Sequence, residues 1–185
     1  MHARRLLPAL AVAALAGGCG GGDFSGSAGT PSGYTTYKRD GVSIAYPKGW
    51  KVNRRQDSDG GSSTRITPPN PSKTPFGLIL LSASPHAEKS FKSSVKGRRA
   101  VMKAVAKAKL DSDEKVDVPG TKEAHRLKAT VPPGAGTDPV EIKSDSLDLL
   151  RDDGDALTVV VAAPQRDDDK LDPAKVIESL RLSGR

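Results

Sequence analysis

Alternation of apolar and polar residues predicts that much of this chain is β-structure. Val42, Ile44 and Tyr46 alternate with smaller side chains, which is the period of a strand with one covered face. Segments 76–81 and 156–163 are apolar on both alternating faces, so strands there need cover on both sides. The remaining predicted strands are 34–46, 64–67, 115–118, 124–131 and 140–150, with a further one starting at Trp50.

A helical spacing of apolar residues replaces this alternation between residues 88 and 110. Phe91, Val95 and Met102 fall on one face of a helix there, and Gly97 weakens its middle by about 1 kcal/mol relative to alanine. A second helix is predicted after Asp172, a good N-cap that is followed by proline. Strands that need cover on both faces, together with these helices, predict a three-layer α+β arrangement rather than a helix lying on one open face of a sheet.

The N-terminal segment has the layout of a bacterial export signal. Arg4 and Arg5 precede an apolar run that ends at Ala16, and this run is shorter than the roughly 20 residues of a membrane-spanning helix. Residues 15–19, Leu-Ala-Gly-Gly-Cys, read as a lipobox whose leucine lies one position further from the cysteine than usual. An ordinary signal-peptidase site with a chance Cys19 is the alternative. We expect lipidation of Cys19 and anchoring at the extracytoplasmic face of the cell membrane.

Three regions follow from this interpretation. Residues 1–18 form the lipoprotein signal peptide, 19–33 the lipidated cysteine and a Gly/Ser-rich tether, and 34–185 one folded domain. A tether of this composition behaves as a random coil with a reach of roughly 20 Å, so the domain stays near the membrane. Cys19 is the only cysteine, so the domain must fold on its hydrophobic core without a disulfide. We also expect the domain to be a monomer.

Residues 41–50, Gly-Val-Ser-Ile-Ala-Tyr-Pro-Lys-Gly-Trp, resemble the opening hairpin of the PsbP-like family. That family includes actinobacterial lipoproteins of the LpqN type. The resemblance implies an α/β/α sandwich around an antiparallel sheet and no enzymatic activity. It also favours Trp50 as a core anchor rather than a residue that stacks on a ligand.

No motif in the chain supports catalysis or metal binding. Ser93 and Lys96 match the first motif of penicillin-recognising enzymes, but the companion motifs are absent or out of order. His86 and His125 lack the spacing of a metal site, and the aspartates at 152–155 and 167–169 lack the spacing of a calcium loop. The sequence therefore predicts no enzyme activity, no cofactor and no metal.

Positive charge is concentrated on the long predicted helix. The net charge is +7, and it falls to +5 once residues 1–18, with two arginines and no acid, are removed. Five basic residues recur at three- and four-residue steps and form a stripe beside the apolar face: Lys92, Lys96, Arg99, Lys103 and Lys107. The stripe is either the solvated face of a packed helix or a contact for anionic lipid or an anionic wall polymer. Nucleic acid is a poor partner for an exported lipoprotein.

The function expected from the sequence is binding at the membrane surface. The leading hypothesis is a non-enzymatic, lipid-anchored module that binds an unidentified protein partner or assists assembly. The alternative is a carrier of a small apolar or lipid ligand. An enzyme of unrecognised type is a third hypothesis, and a cleft holding a carboxylate or histidine of shifted pKa would favour it.

Overall fold

The computed structural model describes residues 30–69, 77–104, 107–134, 140–165 and 171–183. Cys19, the predicted signal peptide and most of the predicted tether lie outside these ranges, as do aspartates 167–169. The strands are β1 (Tyr34–Arg39), β2 (Val42–Pro47), β3 (Lys51–Gln56), β4 (Ser62–Thr67), β5 (Leu78–Ser84), β6 (Lys109–Lys115), β7 (Thr121–Val131), β8 (Ile142–Arg151), β9 (Ala156–Pro164) and β10 (Arg181–Leu182). The helices are α1 (Phe91–Ala104) and α2 (Pro173–Glu178).

The strands form two antiparallel sheets. The large sheet has seven strands in the order β3-β4-β5-β9-β8-β7-β6, and the small sheet has three in the order β1-β2-β10. The predicted α+β sandwich is therefore wrong, because the described residues are mostly strand with two short helices. The two strands that are apolar on both faces, β5 and β9, do need cover. A second sheet covers much of one face, where helices were expected.

The small sheet begins with a tight hairpin. Asp40 and Gly41 connect β1 to β2 with φ values of 52° and 73°, the pattern of a type I′ turn, which favours Asp-Gly. A Cβ at position 41 would lie 2.8 Å from the Ser183 carbonyl oxygen, so glycine is also needed for space. The predicted hairpin between β2 and the strand after Trp50 is wrong, since β3 leaves the small sheet and forms an edge of the large one.

One face of the large sheet, called the inner face here, holds the main core. Small-sheet residues and α2 pack on it, so the two sheets and α2 form two layers around a shared apolar interior. The core side chains with no exposed surface are Ile44, Ile66, Ile79, Leu147, Leu149, Val159, Val161, Val176 and Ile177. These residues all lie well beyond the predicted tether, so a chain without residues 1–19 retains the whole described core.

Helix α2 starts where the sequence predicted. Asp172 caps it, because its carboxylate accepts hydrogen bonds from the backbone N–H groups of Ala174 at 3.1 Å and Lys175 at 3.3 Å. Pro173 occupies the first turn, where the missing N–H costs nothing. The cap therefore fixes the start of a helix whose apolar residues close one end of the core.

Helix α1 lies on the opposite, outer face of the large sheet and buries only two of its side chains there. Its two buried side chains, Phe91 and Val95, pack against Leu150 and Ala156. The helix ends at Ala104, whereas the sequence predicted a helix to about residue 110. Residues from 109 onward pair with β7 instead, so strand pairing at the sheet edge outweighs the local helical pattern. Among the described residues, no helix is long and apolar enough to cross a membrane.

The close approach of Gly77 to Trp50 provides a test of this packing. Trp50 is partly exposed and packs against the core, and a Cβ at Gly77 would lie 2.6 Å from its ring. We expect Gly77→Ala to lower the free energy of unfolding by about 1–3 kcal/mol and to alter tryptophan fluorescence. Urea unfolding followed by that fluorescence measures both.

Gly97→Ala is the matched control, because a Cβ at this position of α1 meets no atom within 4 Å. It should leave stability unchanged or raise it by up to about 1 kcal/mol, as expected for Gly→Ala in an exposed helix. Equal effects of the two substitutions would contradict the contact between Gly77 and Trp50.

Candidate functional site

A cleft opens between the two sheets, next to the turn that joins β1 and β2. Its volume is about 330 Å³, within the range of small-molecule sites. The walls come from strands far apart in the chain: Tyr37, Arg39, Asp40 and Val42 on one side, and Arg54, Gln56, Gly60, Ser62, Thr64, Leu81, Ala83, Pro85, Arg151, Asp155, Ala156 and Leu157 on the other. The cleft therefore depends on the packing of the two layers and is not formed by any single hairpin.

Three arginines line this cleft in different environments. The side chain of Arg151 is only 9% exposed, and its guanidinium donates to the carbonyl oxygens of Asp40 at 3.3 Å and Ser183 at 3.4 Å. Arg54 donates to the Asp40 carboxylate at 2.8 Å, while Arg39 is largely exposed at the rim. The Nε of Arg54 is buried and meets no hydrogen-bond acceptor in the described structure. Buried donors of this kind usually have a partner.

The other lining groups give the cleft a mixed character. The hydroxyl of Tyr37 lies 3.2 Å from that of Thr64, and the Asp155 carboxylate accepts a hydrogen bond from the His86 N–H at 3.1 Å. Apolar side chains complete the walls, among them Val42, Leu81, Leu157 and Pro85. A ligand with both a polar and an apolar part would match this lining.

A second hollow, of about 380 Å³, is a weaker candidate. Only the consecutive residues 115–124 line it, which belong to the connection between β6 and β7 and to the strand ends beside it. Since no other element contributes a group, nothing positions opposing side chains around a ligand there. The inter-sheet cleft is the better candidate site.

Two groups with shifted pKa lie beneath α1, away from the cleft. The Arg98 guanidinium contacts the Asp148 carboxylate at 2.6 Å and donates to the Thr158 hydroxyl at 2.8 Å. Burial raises the pKa of Asp148, although Arg98 opposes the shift, and burial lowers the pKa of Arg98. Because the folded-state pKa of Asp148 is raised, this carboxyl favours the folded state more strongly as the pH falls towards its ordinary pKa.

His125 extends this group on β7. Its Nε2 lies 3.0 Å from the Glu123 carboxylate, and its ring is 6.2 Å from that of Phe91. The hydrogen bond with His125 lowers the pKa of Glu123. Glu123 borders the hollow at residues 115–124, but none of these side chains lines the inter-sheet cleft. The cluster therefore attaches α1 to the sheet, and it does not provide the cleft with a shifted carboxylate that would favour an enzyme.

The predicted basic stripe is partly assembled by the structure. Lys92, Lys96 and Lys103 are exposed along one flank of α1, and Arg99 on the same flank forms an ion pair with Asp113 of β6 at 2.5 Å. Lys107 lies beyond the end of the helix, with φ of 49°. Four of the five members thus lie on the helix, one of them neutralised by the neighbouring strand, and the fifth lies beyond the helix end.

A second basic row, which sequence reasoning missed, lies on the same outer face. Lys51, Arg55 and Arg65 point away from the core, because their neighbours in sequence alternate with them and face inward. No carboxylate lies within ion-pair distance of these three in the part of the chain that the structure describes. The four-residue separation of Lys51 and Arg55, which places both on one face of a strand, was the available signal. The partner strand was needed to bring Arg65 beside them.

The most deeply buried ion pair joins neighbouring strands of the large sheet. Arg126 of β7 contacts Asp145 of β8 at 2.6 Å, and both side chains are only 5% exposed. Burial opposes the charge of Arg126, but the hydrogen bonds from Arg126 to Asp145 raise its pKa overall. Glu178 of α2 lies 3.7 Å from the same guanidinium. The pair ties α2 to the sheet and lies outside the cleft.

Two of the acidic groups considered for calcium, Asp153 and Asp155, have structural partners. The Asp153 carboxylate accepts a hydrogen bond from the Asp155 N–H at 3.1 Å in the turn between β8 and β9. Across the described ranges, no three His, Cys, Asp or Glu side chains are grouped as metal ligands.

Comparison with known proteins does not identify a family. No protein-family model and no curated protein matches the chain. A Pseudomonas aeruginosa protein of unknown function, PA94, described as a candidate regulator, aligns with a TM-score of 0.42 and 13% identity over 71% of this chain and 83% of its own. A Bacteroides thetaiotaomicron structure aligns with a TM-score of 0.44 and 15% identity over 78% of this chain and 46% of its own. Similarities this remote carry no argument about function.

Proposed function

We propose that this chain is a lipid-anchored extracytoplasmic protein whose domain acts by binding, as a protein-binding or assembly module at the membrane surface. It catalyses no reaction of its own. The lipobox that ends at Cys19 supports the anchor, and the Gly/Ser-rich segment after it supports a short tether. The domain then works within reach of the membrane and of the proteins that surround it.

This proposal rests mainly on the residues exposed on the outer face of the large sheet. A half-buried apolar strip runs along β5 and β9, through Leu80 and Val160, which are paired across the two strands. The row of Lys51, Arg55 and Arg65 lies on one side of the strip, and α1 with its exposed lysines lies on the same face. An apolar centre with a charged rim is the usual anatomy of a protein–protein interface.

The positive charge of this outer face favours one kind of partner. Its exposed cations outnumber its acids, since Asp113 pairs with Arg99 and Asp148 pairs with Arg98. An acidic protein surface is the complementary partner, and it would be attracted over roughly a Debye length of 8–10 Å. Anionic lipid or wall polymer would use the same charges but has less need of the apolar strip.

The inter-sheet cleft supports a second candidate function, a carrier of a small ligand. Its volume of about 330 Å³ suits a small molecule. Its lining is as polar as it is apolar, so the cleft fits a purely apolar ligand less well than the carrier hypothesis expected. The two candidate functions use opposite faces of the large sheet and can be tested separately.

The anchor is tested by Cys19→Ala. Two acyl chains give stable membrane attachment where one gives marginal binding, so the variant should lose both normal processing and the membrane-bound mature form. Mass spectrometry of the N-terminus and fractionation of cells measure these properties. A correctly trimmed Cys19→Ala protein that still partitions with the membrane would show that the anchor proposal is wrong.

The binding face is tested by photo-crosslinking in intact cells. A photo-reactive residue in place of Asn53, which is exposed between Arg55 and Arg65 on the outer face, should form an adduct with a protein partner. Changing both arginines to glutamate should reduce that adduct about tenfold or more, because reversed charges repel an acidic surface. Gel shifts and mass spectrometry measure the yield and the partner.

Two controls distinguish this face from the rest of the surface. A photo-reactive residue at Lys38 of β1 should give no such adduct, and Lys175→Glu on α2 should leave the Asn53 adduct unchanged. Equal adducts from both positions would contradict the assignment. If no protein adduct forms, the chain lacking residues 1–19 is tested for binding to anionic vesicles. Salt-sensitive binding that is lost when the stripe lysines and Arg99 become glutamine would assign the face to lipid.

A further inference from the structure

We infer that the inter-sheet cleft binds a small amphipathic anion, a single carboxylate or phosphate group attached to an apolar body. The inference rests on the carrier function proposed above and names its ligand class. It does not depend on the lipid anchor or on the outer face.

The unfilled hydrogen-bonding capacity of Arg54 points to the anion. Its Nη2 donates to Asp40, but its Nε is buried without an acceptor in the described structure. That nitrogen has almost no accessible surface, so the Arg54 side chain must turn for a carboxylate or phosphate oxygen in the cleft to become its acceptor. A charge-assisted hydrogen bond to guanidinium is among the strongest in proteins. Nε and an adjacent amino group of one guanidinium can also bind both oxygens of such a group side by side.

Arg151 adds a second, better-fixed positive charge. The packing around Gly41 leaves no room for a side chain there, because a Cβ would lie 3.0 Å from the Arg151 Nη2. This close approach and the contacts with two backbone carbonyls hold the guanidinium in place. Both of those contacts are long, and the Asp153 carboxylate lies 3.8 Å from the Arg151 Nε, so the charge of Arg151 is only partly compensated.

The two acids of the cleft limit the charge of the ligand. Asp40 pairs with Arg54 at the partly exposed rim, and Asp155 accepts a hydrogen bond from the His86 N–H. With three arginines and these two aspartates among the lining residues, the cleft has one excess positive charge, which the Asp153 carboxylate 3.8 Å from Arg151 partly offsets. It therefore suits one anionic group, whereas a polyphosphate would meet repulsion from the carboxylates.

The apolar walls provide for the rest of the ligand. Val42, Leu81 and Leu157 are buried residues of the main core, and the 3–7% of their surface that stays accessible helps to line the cleft. A short hydrocarbon or ring placed against them would remove apolar surface from water. The anionic group at Arg54 and the apolar body at these residues thus set the orientation of the ligand.

The test uses the chain lacking residues 1–19, which keeps the whole described core, and three probes. Octanoate and octyl phosphate carry the two candidate anionic groups, and 1-octanol has the same chain without charge. Titration calorimetry, with backbone amide shifts in a two-dimensional NMR spectrum, measures affinity and location. We expect an anionic probe to bind at least tenfold more tightly than 1-octanol, with shifts in β1, β3 and the β1–β2 turn. The tighter of the two probes identifies the anionic group.

Matched variants locate the contact. Arg54→Gln should weaken binding of the anionic probe about tenfold or more, as expected for loss of a charged hydrogen bond. Arg55→Gln is the control, because it changes the same charge on the adjacent residue of the same strand but on the opposite face. It should change the affinity less than twofold. Ser62→Phe, which fills the cleft without changing charge, should also abolish binding.

The possible results distinguish failure of this inference from failure of the carrier function. If 1-octanol binds as tightly as the anionic probes and Ser62→Phe abolishes both, the carrier function holds and the anionic ligand class is wrong. If Arg54→Gln and Arg55→Gln have equal effects, the cleft is not the anion site. If none of the three probes binds at millimolar concentration, both the carrier function and the inference fail.

Discussion

The fold depends on covering the inner face of the three central strands of the large sheet. Val159 and Val161 on β9, with Leu147 and Leu149 on β8, have no exposed surface. The small sheet and α2 provide this cover, and the cap at Asp172 together with the Arg126–Asp145 pair beneath α2 stabilises that arrangement. Full burial of large aliphatic side chains is the main favourable term in folding. The inter-sheet cleft lies where this interlayer packing ends.

The outer face is under a different constraint. Helix α1 buries two apolar side chains on it and adds one buried ion pair between Arg98 and Asp148. Such a pair contributes little net stability, because desolvation offsets much of the charge attraction, as the shifted pKa of Asp148 indicates. The outer face can therefore carry exposed cations and an apolar strip without weakening the core. This separation places the main core and the cleft on one side of the sheet, and the proposed partner surface on the other.

Much of the secondary structure could be predicted from the sequence, but the arrangement of the sheets could not. The alternation in β2, the apolar run in β9 and the cap at Asp172 are local signals, and the structure confirms those elements. The end of α1 and the strand β6 depend on pairing with β7, which no local pattern shows. The separation of β2 from β3 likewise depends on long-range pairing. The cleft residues come from distant strands, so no sequence spacing connects Tyr37, Arg54 and Arg151.

Native-state hydrogen exchange tests most directly whether the inner face alone maintains the fold. Amides of β8 and β9 should exchange only through global unfolding, with the full denaturant dependence of the unfolding free energy. Amides of α1 from Val95 to Ala104 should exchange through a local opening of much lower free energy and weak denaturant dependence. If the α1 amides were as protected as those of β9, with the same denaturant dependence, α1 would be part of the cooperative core and the separation of the two faces would be wrong.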